Sequence, residues 1–430
     1  MPTGTGVSAG QTLVKTAYVN ELWAEATYNS VFYGATDGRM SSPSGGIIPN
    51  LIDKGDESFI KVQEELKTGG SNIVIPMKGR LLGGARVANQ PLEGYEDQLP
   101  LYNHSMSIEE HRKGVRSSGR ADAQRVEFDI DQADRDSIPP WWGANWDEKI
   151  LVKLFGTKGS LSNEASVEVP MYYESSDELS STELNWDGNG INAPSTGRVI
   201  YANNKVTAAS LSQTDSLGMQ DLERLITVAT TASAATNGRR IEPVKAGGKR
   251  LLAAVIHPWM WLGLKNNYAD AFYDLYKAKL QGGDIGGNPL LAGNLPCIDL
   301  CGITLCFIVT EKAPRFSYSA SGASAAIAPY TTIVGYGAGG SHGVGRIALM
   351  GKHAMGMAMG RYSNTGSGRA GDTSRFKVTE MERDHGFVKA YGSWMNWGIS
   401  KVRFNTTQNG STYLDNVFYL DAYMRTIQAA

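Results

Sequence analysis

The residues most suggestive of a nucleotide site are Gly335 to Gly340, which read GYGAGG. They satisfy the G-x-G-x-x-G pattern and follow an apolar run that is typical of a strand. In a dinucleotide-binding protein this pattern is followed at once by a helix whose N-terminus faces the pyrophosphate. Here the next residues, SHGVGRIALMGKH, add further glycines where that helix would form. We therefore favour a glycine-rich loop, with a nucleotide-binding enzyme as the alternative.

A second pattern could bind a soft metal ion. His353, Met355, Met357 and Met359 alternate with other residues, so a strand would project all four from one face. Such ligands can hold Cu(I), but a core face filled with adaptable Met side chains gives the same pattern and is the favoured interpretation. The other histidines show no metal-binding spacing, and H-E-x-x-H is absent from the sequence. We expect no catalytic residue, no metal site and no cofactor.

The composition gives no sign of a dominant nucleic-acid or membrane partner. Net charge is -2 and the pI is about 6.3, whereas sequence-independent affinity for nucleic acid depends on a basic surface. Residues 239–250 hold five basic side chains that could touch phosphates, although a solvated loop is the favoured interpretation. Any contact with DNA is expected to be local and weak. No stretch approaches the roughly 18 apolar residues of a membrane span, and no secretion signal is recognisable.

Three closely spaced cysteines, Cys297, Cys301 and Cys306, are too few for a disulfide framework, and none forms a C-x-x-C pair. A reducing, cytosolic origin is the expectation. At 430 residues the chain exceeds the usual size of one compact core, so two or three subdomains are expected.

A long two-stranded hairpin is predicted near the N-terminal quarter. Residues 71–82 indicate an extended strand, residues 101–116 indicate its return partner, and the segment between them is rich in Gly, Pro and charge. An isolated hairpin is marginal in water unless it packs on further strands or on a partner. The pattern therefore favours an intermolecular role for this hairpin.

Charged residues along this hairpin are the candidate functional residues. Their mixed signs could meet opposite charges on a neighbouring molecule, although charge can equally protect a strand edge from aggregation. The suspected inter-subunit contacts are Arg80, Arg86, Glu93, Glu96, Asp97, Glu109, Glu110, Arg112, Lys113 and Arg116.

A strong helix is predicted after the hairpin. Trp142, Trp146, Ile150 and Leu154 are spaced by four and share a face. Because proline is tolerated only in the first helical turn, Pro139 and Pro140 divide the region. We expect a short helix near residues 131–137 and a longer one over residues 140–155, ended by Gly156.

The remaining pattern indicates mixed helices and strands. Residues 157–206 are polar and aperiodic and predict loops; a helix around residues 222–229 is predicted to be capped near Ser216; and a second helical region starts at Pro258. Strand-like runs cover residues 251–257, 303–310, 331–334, 376–382, 387–394, 399–404 and 416–423.

Motifs spread over residues 50 to 420 resemble the coat proteins of tailed bacterial viruses typified by the N-four-type podophages. The final segment, Val388 to Asn405 (VKAYGSWMNWGISKVRFN), is the most informative. The matching residues, in family order, are Gly55-Asp56, Gly119-Arg120, Gln124, Arg125, Val126, Phe128, Asp129, Trp141-Trp142, His257-Pro258, residues 288–302, Trp397-Gly398, Lys401, Arg403, Phe404 and Asn405.

The resemblance implies an α+β protein with the Hong-Kong-97-type capsid fold. Its expected parts are an N-terminal arm (1–50), an extended hairpin or E-loop region (51–118), the spine helix of a P-domain (119–156), an A-domain with a polar insertion (157–345; insertion near 157–206), and a return to the P-domain sheet (346–430). Two departures from the family pattern are the double proline, where a continuous spine helix is expected, and the long polar loop.

The resemblance also implies the function, partners and location. The chain would be a major capsid protein that self-assembles as hexamers and pentamers of an icosahedral shell around double-stranded DNA. Portal protein, and scaffolding or decoration proteins, would be its partners. It would be made in the host cytoplasm and reside in the virion. A non-viral surface structural protein, or a nucleotide-binding enzyme using residues 335–340, remains the alternative.

Overall fold

The structure is a computed structural model. It describes residues 22–34, 51–53, 57–63, 72–78, 85, 87, 93, 96, 101–116, 130–156, 187–195, 197–206, 210–211, 215–231, 240–246, 248–267, 297–313, 315–319, 341–360, 362–363, 373–374, 377–383, 388–405 and 413–424. Within these ranges the chain is a mixed helix and strand protein, as the sequence predicts.

The helices are α1 (residues 22–29), α2 (Val31–Gly34), α3 (Ile130–Asp136), α4 (Ile138–Phe155), α5 (Met219–Thr230) and α6 (Pro258–Asn267). The strands are β1 (Ile52–Asp53), β2 (Ile60–Gln63), β3 (Asn72–Lys78), β4 (Leu101–Ser107), β5 (Glu109–Arg116), β6 (Val199–Tyr201), β7 (Val244–Ala246), β8 (Lys249–Ile256), β9 (Cys297–Leu300), β10 (Ile303–Val309), β11 (Arg315–Ser319), β12 (Ser341–Met350), β13 (Met355–Met359), β14 (Tyr362–Ser363), β15 (Thr373–Ser374), β16 (Lys377–Arg383), β17 (Val388–Lys401), β18 (Arg403–Asn405), β19 (Tyr413–Asp415) and β20 (Val417–Tyr423).

Helix α4 forms where the spacing of apolar residues predicts it. Pro139 and Pro140 occupy its first turn, where no backbone donor is lost, and Gly156 ends it in the left-handed region at φ 68°. Trp142, Trp146, Ile150 and Leu154 are all fully buried. The double proline therefore separates α3 from α4 at Ser137, as predicted.

One sheet lies against this helix. Its described strands are ordered β1-β2-β13-β17-β16, with β5 also beside β17. The long strand β17 replaces the two separate strands predicted over residues 387–394 and 399–404. It continues through Trp397 and Gly398 because β5 pairs with its residues 390–397 and β13 pairs with its residues 397–401.

A second sheet is buried on both faces. Its described order is β6-β20-β12-β8-β10-β9, with β11 beside β12 and β7 beside β8. In β8, Leu251, Ala253 and Val255 join the core shared with α4, whereas Leu252, Ala254 and Ile256 join the core that includes α5 and α6 residues. This alternation explains why the predicted strand is an unbroken apolar run. Between β12 and β20 of this sheet, Arg346 and Asp421 form a buried ion pair with an Nε–Oδ1 distance of 2.6 Å.

The predicted helix cap at Ser216 is two residues early. Helix α5 has Gly218 as its N-cap residue, and the carboxylate of Asp221 accepts a hydrogen bond from the Gly218 backbone N–H at 3.1 Å. Ser216 instead forms an isolated bridge with Tyr423. The carboxylate of Asp221, in the first turn of α5, thus takes the capping role that the sequence pattern assigned to Ser216.

The cysteines form a pair that their spacing does not indicate. The hairpin β9–β10 places Cys297 opposite Cys306, and these residues are joined as a disulfide. Cys301 lies exposed at the turn and is not part of that bond. A tight turn brings residues nine positions apart into register, a pairing that the spacing of the cysteines in the sequence does not reveal.

Candidate assembly interface

The predicted hairpin is present, but it is shorter than expected. Strand β3 pairs antiparallel with β4, from Asn72 opposite Ser107 to Lys78 opposite Leu101. The predicted return strand of residues 101–116 divides at Ile108, and β5 pairs with β17 instead. At the point of division, Ile108 lies buried in a small apolar core with residues of β3 and β4.

A polar clamp holds the root of this hairpin to the sheet. The side chain of Asn189 accepts a hydrogen bond from the Ser107 N–H and donates one to the Ser107 carbonyl oxygen, both at 2.9 Å. A Cβ at position 398 would lie 2.0 Å from the same carbonyl oxygen, so Gly398 permits this close approach. The clamp therefore holds the chain against the sheet at Ser107, the last residue of β4.

His104 contacts the sheet from the hairpin. Its Nε2 lies 3.1 Å from Ser400 Oγ. Burial, together with the positive charge of Arg403, lowers the pKa of His104 to about 4. The neutral imidazole is thus the form that fits the hairpin root.

The described residues at the hairpin tip are exposed. They are Ala85, Val87, Glu93 and Glu96, and the apolar side chain of Val87 is 68% exposed. The predicted contact residues Arg80, Arg86 and Asp97 lie outside the described residues.

Strand β5 carries the other predicted contact residues. Glu109, Arg112 and Arg116 are exposed, whereas Glu110 and Lys113 are half-buried. Arg112 forms an ion pair with Glu110 of its own strand, with Nε–Oε1 of 3.2 Å. Lys113 Nζ lies 4.7 Å from the ring centroid of Trp141. The structure therefore gives three of these five charges a contact within the chain.

Sequence reasoning missed a row of residues beside Arg112. The register places Arg112, Trp394 and Lys377 opposite one another on β5, β17 and β16. Lys377 Nζ lies 5.3 Å from the Trp394 ring, and Met381, farther along β16, is 54% exposed. The alternation of Lys377, Thr379 and Met381 is the sequence signal for this face, but it becomes visible only once the strand order is known.

Residues 22–34, which belong to the predicted N-terminal arm, are bound to α4 through one carboxylate. Asp147 accepts hydrogen bonds from Ser30 Oγ at 2.6 Å, from the Val31 N–H at 2.6 Å and from the Phe32 N–H at 3.2 Å. A helix N-terminus favours such an anion, because its first N–H groups lack partners within the helix. Burial is the largest influence on this carboxyl group and raises the pKa of Asp147 to about 6.

Close packing completes the contact between arm and helix. A Cβ at Gly143 would lie 2.7 Å from the carbonyl oxygen of Ala26, and the rings of Trp23 and Trp146 are 5.4 Å apart. Leu22, Ala26 and Phe32 are fully buried. This part of the predicted arm is thus bound to the chain's own core.

The final motif of the sequence has a structural explanation. Lys401 Nζ and Arg403 Nε reach the buried carboxylate of Asp415 at 2.8 and 2.9 Å, and Lys401 also donates to the hydroxyl of Tyr419. Burial lowers the pKa of Lys401 to about 8, although Asp415 opposes this shift. The indole of Trp397 is fully buried. These contacts connect β17 and β18 to β19 and β20.

The two candidate ligand sites find no support. Residues 335–340 lie outside the described residues, but the segment after them is strand β12 rather than the helix that a dinucleotide cradle requires. His353 lies in a turn before β13, while Met355, Met357 and Met359 are packed in the core. Over the described residues, no group of three His, Cys, Asp or Glu could hold a metal ion, and no helix is long and apolar enough to cross a membrane.

The sequence model of the family described as "Phage capsid protein" matches residues 21–427. The chain belongs to this phage capsid protein family. A search of curated proteins found no significant match. As a capsid protein the chain is a shell-forming, structural component of the virion.

Solved capsid structures show the same fold. The capsid of Ralstonia phage GP4 is 20% identical, has a TM-score of 0.64, and the match covers 88% of this chain and 91% of the other. The capsid of cyanophage Pam1 is 17% identical with a TM-score of 0.54 and coverages of 86% and 91%. The head structure of Helicobacter pylori bacteriophage KHP40 is 14% identical with a TM-score of 0.51 and coverages of 87% and 90%. The fold is therefore the Hong-Kong-97-like fold of phage capsid proteins. Together with the family match over residues 21–427, this identifies the chain as a major capsid protein.

Proposed function

We propose that this capsid protein forms hexamers and pentamers of an icosahedral shell around double-stranded DNA, assembled in the cytoplasm of a bacterial host. The observation that carries this proposal is the hairpin β3–β4: the described residues of its tip are exposed, and its root packs in a small apolar core. A segment of this kind gains stability when it packs on another molecule. Portal, scaffolding or decoration proteins complete the assembly, and the chain's role is structural rather than enzymatic.

The subdomains of the capsid subunit are proposed with the boundaries that the resemblance implies. Residues 1–50 act as the arm, 51–118 as the hairpin region, 119–156 as the spine of the P-domain, 157–345 as the A-domain, and 346–430 as the return to the P-domain sheet. The packing of α4 against the sheet that contains β17 supports the proposed spine (119–156) and the proposed return to the P-domain sheet (346–430).

The hairpin tip is proposed to bind a second copy of the chain at the face of β5, β17 and β16. The tip presents exposed Glu93 and Glu96, and the face presents exposed Arg112, Arg116 and Lys377. Opposite charges steer association and disfavour wrong partners, even where their net contribution to affinity is small. Arg80, Arg86 and Asp97 on the hairpin are proposed to complete the contacts of the tip.

DNA is proposed to contact the shell weakly and without sequence preference. The formal net charge of -2 offers little of the counterion release on which such affinity depends. Packing of the genome then relies on the closed shell rather than on strong binding by each subunit.

The proposal is tested by expressing the full chain alone in a bacterial cytoplasm and examining it by size-exclusion chromatography and electron microscopy. Closed shells, or rings of five and six subunits, are the expected products, because the assembly contacts lie in the chain itself. A persistent monodisperse monomer or dimer, both alone and after co-expression of the neighbouring viral structural proteins, would contradict the proposal.

A further inference from the structure

Cys297 and Cys306 occupy unequal positions in the hairpin β9–β10. Cys297 is the first residue of β9, and β9 stands at one end of the order of the second sheet among the described strands. Cys306 lies within β10, where it is opposite Cys297 on one side and opposite Ala253 of β8 on the other. One cysteine is therefore at the margin of the sheet, and the other is inside it.

Both cysteines are closed off from water in the folded chain. Cys297 is 1% exposed and Cys306 is 3% exposed, and both pack in the core shared with α4. A reagent in solution reaches a buried thiol only when the segment that covers it opens locally. The end of an edge strand opens more readily than a strand held by neighbours on both sides, so Cys297 becomes accessible before Cys306.

The register of this hairpin does not depend on a bond between the two sulfur atoms. Antiparallel backbone pairing of β9 with β10 places Cys297 opposite Cys306. Across the same two strands, Thr304 Oγ1 donates a hydrogen bond to Asp299 Oδ1. When β9 repacks after a local opening, these contacts return Cys297 to its position beside Cys306.

Cys301 differs from this pair in both exposure and position. It is exposed and lies in the turn between the two strands, with its Sγ 4.0 Å from Thr227 Oγ1. In the described hairpin, no cysteine is opposite it. Cys301 can therefore react with a disulfide reagent, but it has no adjacent thiol that could complete an exchange.

We propose that Cys297 and Cys306 form a thiol–disulfide exchange site that takes a small-molecule disulfide of the glutathione type. Cys297 is the thiol that reacts first with this oxidant, and Cys306 is the resolving thiol. The thiolate is the reactive form of cysteine in such an exchange, and access decides which thiol attacks. The unequal positions of the two residues in the sheet therefore assign their two roles.

The exchange proceeds in two steps. The Cys297 thiolate attacks one sulfur of oxidised glutathione, so that a mixed disulfide forms and one glutathione thiolate leaves. After β9 repacks, the Cys306 thiolate attacks the Cys297 sulfur, the bond between Cys297 and glutathione breaks, and the second glutathione thiolate leaves. The dithiol has then lost two electrons and two protons, and the two molecules of reduced glutathione have gained them.

The resulting bond holds the edge of the second sheet closed. A cross-link between β9 and β10 limits the local opening of β9. Cytosolic thiols are kept reduced, whereas disulfides persist outside the cell. The pair is then a dithiol during assembly and a disulfide in the released particle. This timing rests on the proposed assembly in a bacterial cytoplasm, whereas the exchange chemistry is a property of the chain alone.

The test uses the purified full chain, reduced and then freed of reductant. Oxidised glutathione is added, alkylation stops the reaction, and mass spectrometry identifies the products. The variant Cys301→Ser should lose the mass of two hydrogens and give two peptides joined through Cys297 and Cys306. In the wild type, Cys301 should in addition carry glutathione, which serves as an internal control for the reagent.

Single replacements in the Cys301→Ser background test the order of the two thiols. With Cys306→Ser, Cys297 should accumulate as the mixed disulfide, because its resolving partner is absent. With Cys297→Ser, Cys306 should react more slowly by about tenfold or more, since strands on both sides cover it. Circular dichroism checks that each variant is folded.

Hydrogen–deuterium exchange of the reduced and the oxidised wild-type chain gives a readout that needs no variant. Oxidation should slow the exchange of the β9 amides by about tenfold or more, because the cross-link restricts their opening. Strand β16, which belongs to the other sheet, should exchange equally in both forms.

Three results would overturn the proposal. Alkylation of both Cys297 and Cys306 in wild-type chains that carry glutathione on Cys301 would show that the pair does not exchange. A disulfide from Cys301 to either residue would assign the exchange to a different pair. Equal rates of modification in the two single variants would remove the assigned order. Each result is obtained on the purified chain whether or not it forms shells, so it is separate from the outcome for shell assembly.

Discussion

Asp147 and Lys401, which are buried, and His104, which is half-buried, have pKa values displaced towards their neutral forms. Burial raises the pKa of Asp147 to about 6 and lowers that of Lys401 to about 8 and that of His104 to about 4. Each group nevertheless has a hydrogen-bond partner in another element. Buried polar groups of this kind are tolerated because they are paired, and they make the contacts between elements sensitive to pH.

The His104 contact predicts a loss of stability in acid. The pKa of His104 in the folded chain lies below its unfolded value of 6.5, so its contribution is complete above about pH 6.5 and is lost as the pH falls through about 4. By linkage this loss can reach up to about 3 kcal/mol. Denaturant unfolding, measured at intervals between these pH values, should show this loss as a pH-dependent difference in free energy of unfolding between the wild type and a variant that lacks the imidazole.

The matched variant is His104→Gln, which keeps a polar side chain that does not titrate. The difference in free energy of unfolding between wild type and variant should shrink or reverse as the pH falls. Asp147 acts in the opposite direction, because a raised carboxyl pKa favours the folded state as the pH falls below about 6, and this effect is common to both proteins. A difference that does not change with pH would contradict the assignment.

Among the elements, the arm and α4 form a contact that depends on close approach. The arm's helix N-terminus meets the Asp147 carboxylate, and its backbone at Ala26 lies against Gly143. Backbone atoms cannot move aside as a flexible side chain can, so the absence of a Cβ at position 143 is a requirement of this packing.

The variant Gly143→Ala should therefore release the arm. Its Cβ would meet the Ala26 carbonyl oxygen at 2.7 Å, and overpacking of this kind costs about 1–3 kcal/mol. Hydrogen–deuterium exchange should rise in peptides covering residues 22–34 while α4 remains protected.

Gly263 in α6 provides the control, since a Cβ there would find nothing within 4 Å. Gly263→Ala should stabilise the chain by roughly 1 kcal/mol, because Ala is the better helix former. Equal exchange of residues 22–34 in both variants would refute the packing argument.

For the whole molecule, the hairpin stands apart from the two main cores. It contributes four residues to a separate small cluster, in which Ile73, Ile75, Met106 and Ile108 pack with Ala358 and Val402. We therefore expect the subunit to fold without the tip, whereas the proposed shell requires the tip in order to close.

Deleting residues 84–97 should leave a folded subunit that fails to form closed shells, because the proposed contact with the neighbouring copy is removed. Circular dichroism would check the fold and electron microscopy the assembly. A second variant, in which Gly and Ser replace the same residues at equal length, separates the chemistry of the tip from its reach. Normal shells from the deletion would rule out the hairpin's proposed role.

Charge reversal tests the binding face itself. Glu93→Lys with Glu96→Lys should reduce shell yield, and adding Arg112→Glu with Arg116→Glu should restore part of it if the tip meets that face. Absence of any rescue would assign the tip to a different surface.

Local patterns predicted α3 to α6 and several of the longer strands, but not β12 or most of the short strands. The spacing of Trp142, Trp146, Ile150 and Leu154, with prolines before and glycine after, defined α4 because helix periodicity and end signals are properties of neighbouring residues. The hairpin strands and the order of the family motifs were likewise readable, and the motifs led to the correct fold. The candidate site was predicted less completely. Of its ten charges, Glu93 and Glu96 are exposed, three lie outside the described residues, and the sequence alone could not assign a face of β5 to the remaining five.

The sequence by itself therefore determined which segments form helices and strands, which residues are apolar, and to which kind of protein the chain is similar. Only the tertiary structure decided that β5 leaves the hairpin for β17, that Asp147 binds the arm, and that Lys153 and Asn189 meet at Asp187. The pairing of β5 with β17 and the contacts of Asp147 with Ser30 and of Lys153 with Asp187 join residues far apart in the chain. No local periodicity encodes such pairings, since they depend on which surfaces the folded core brings together.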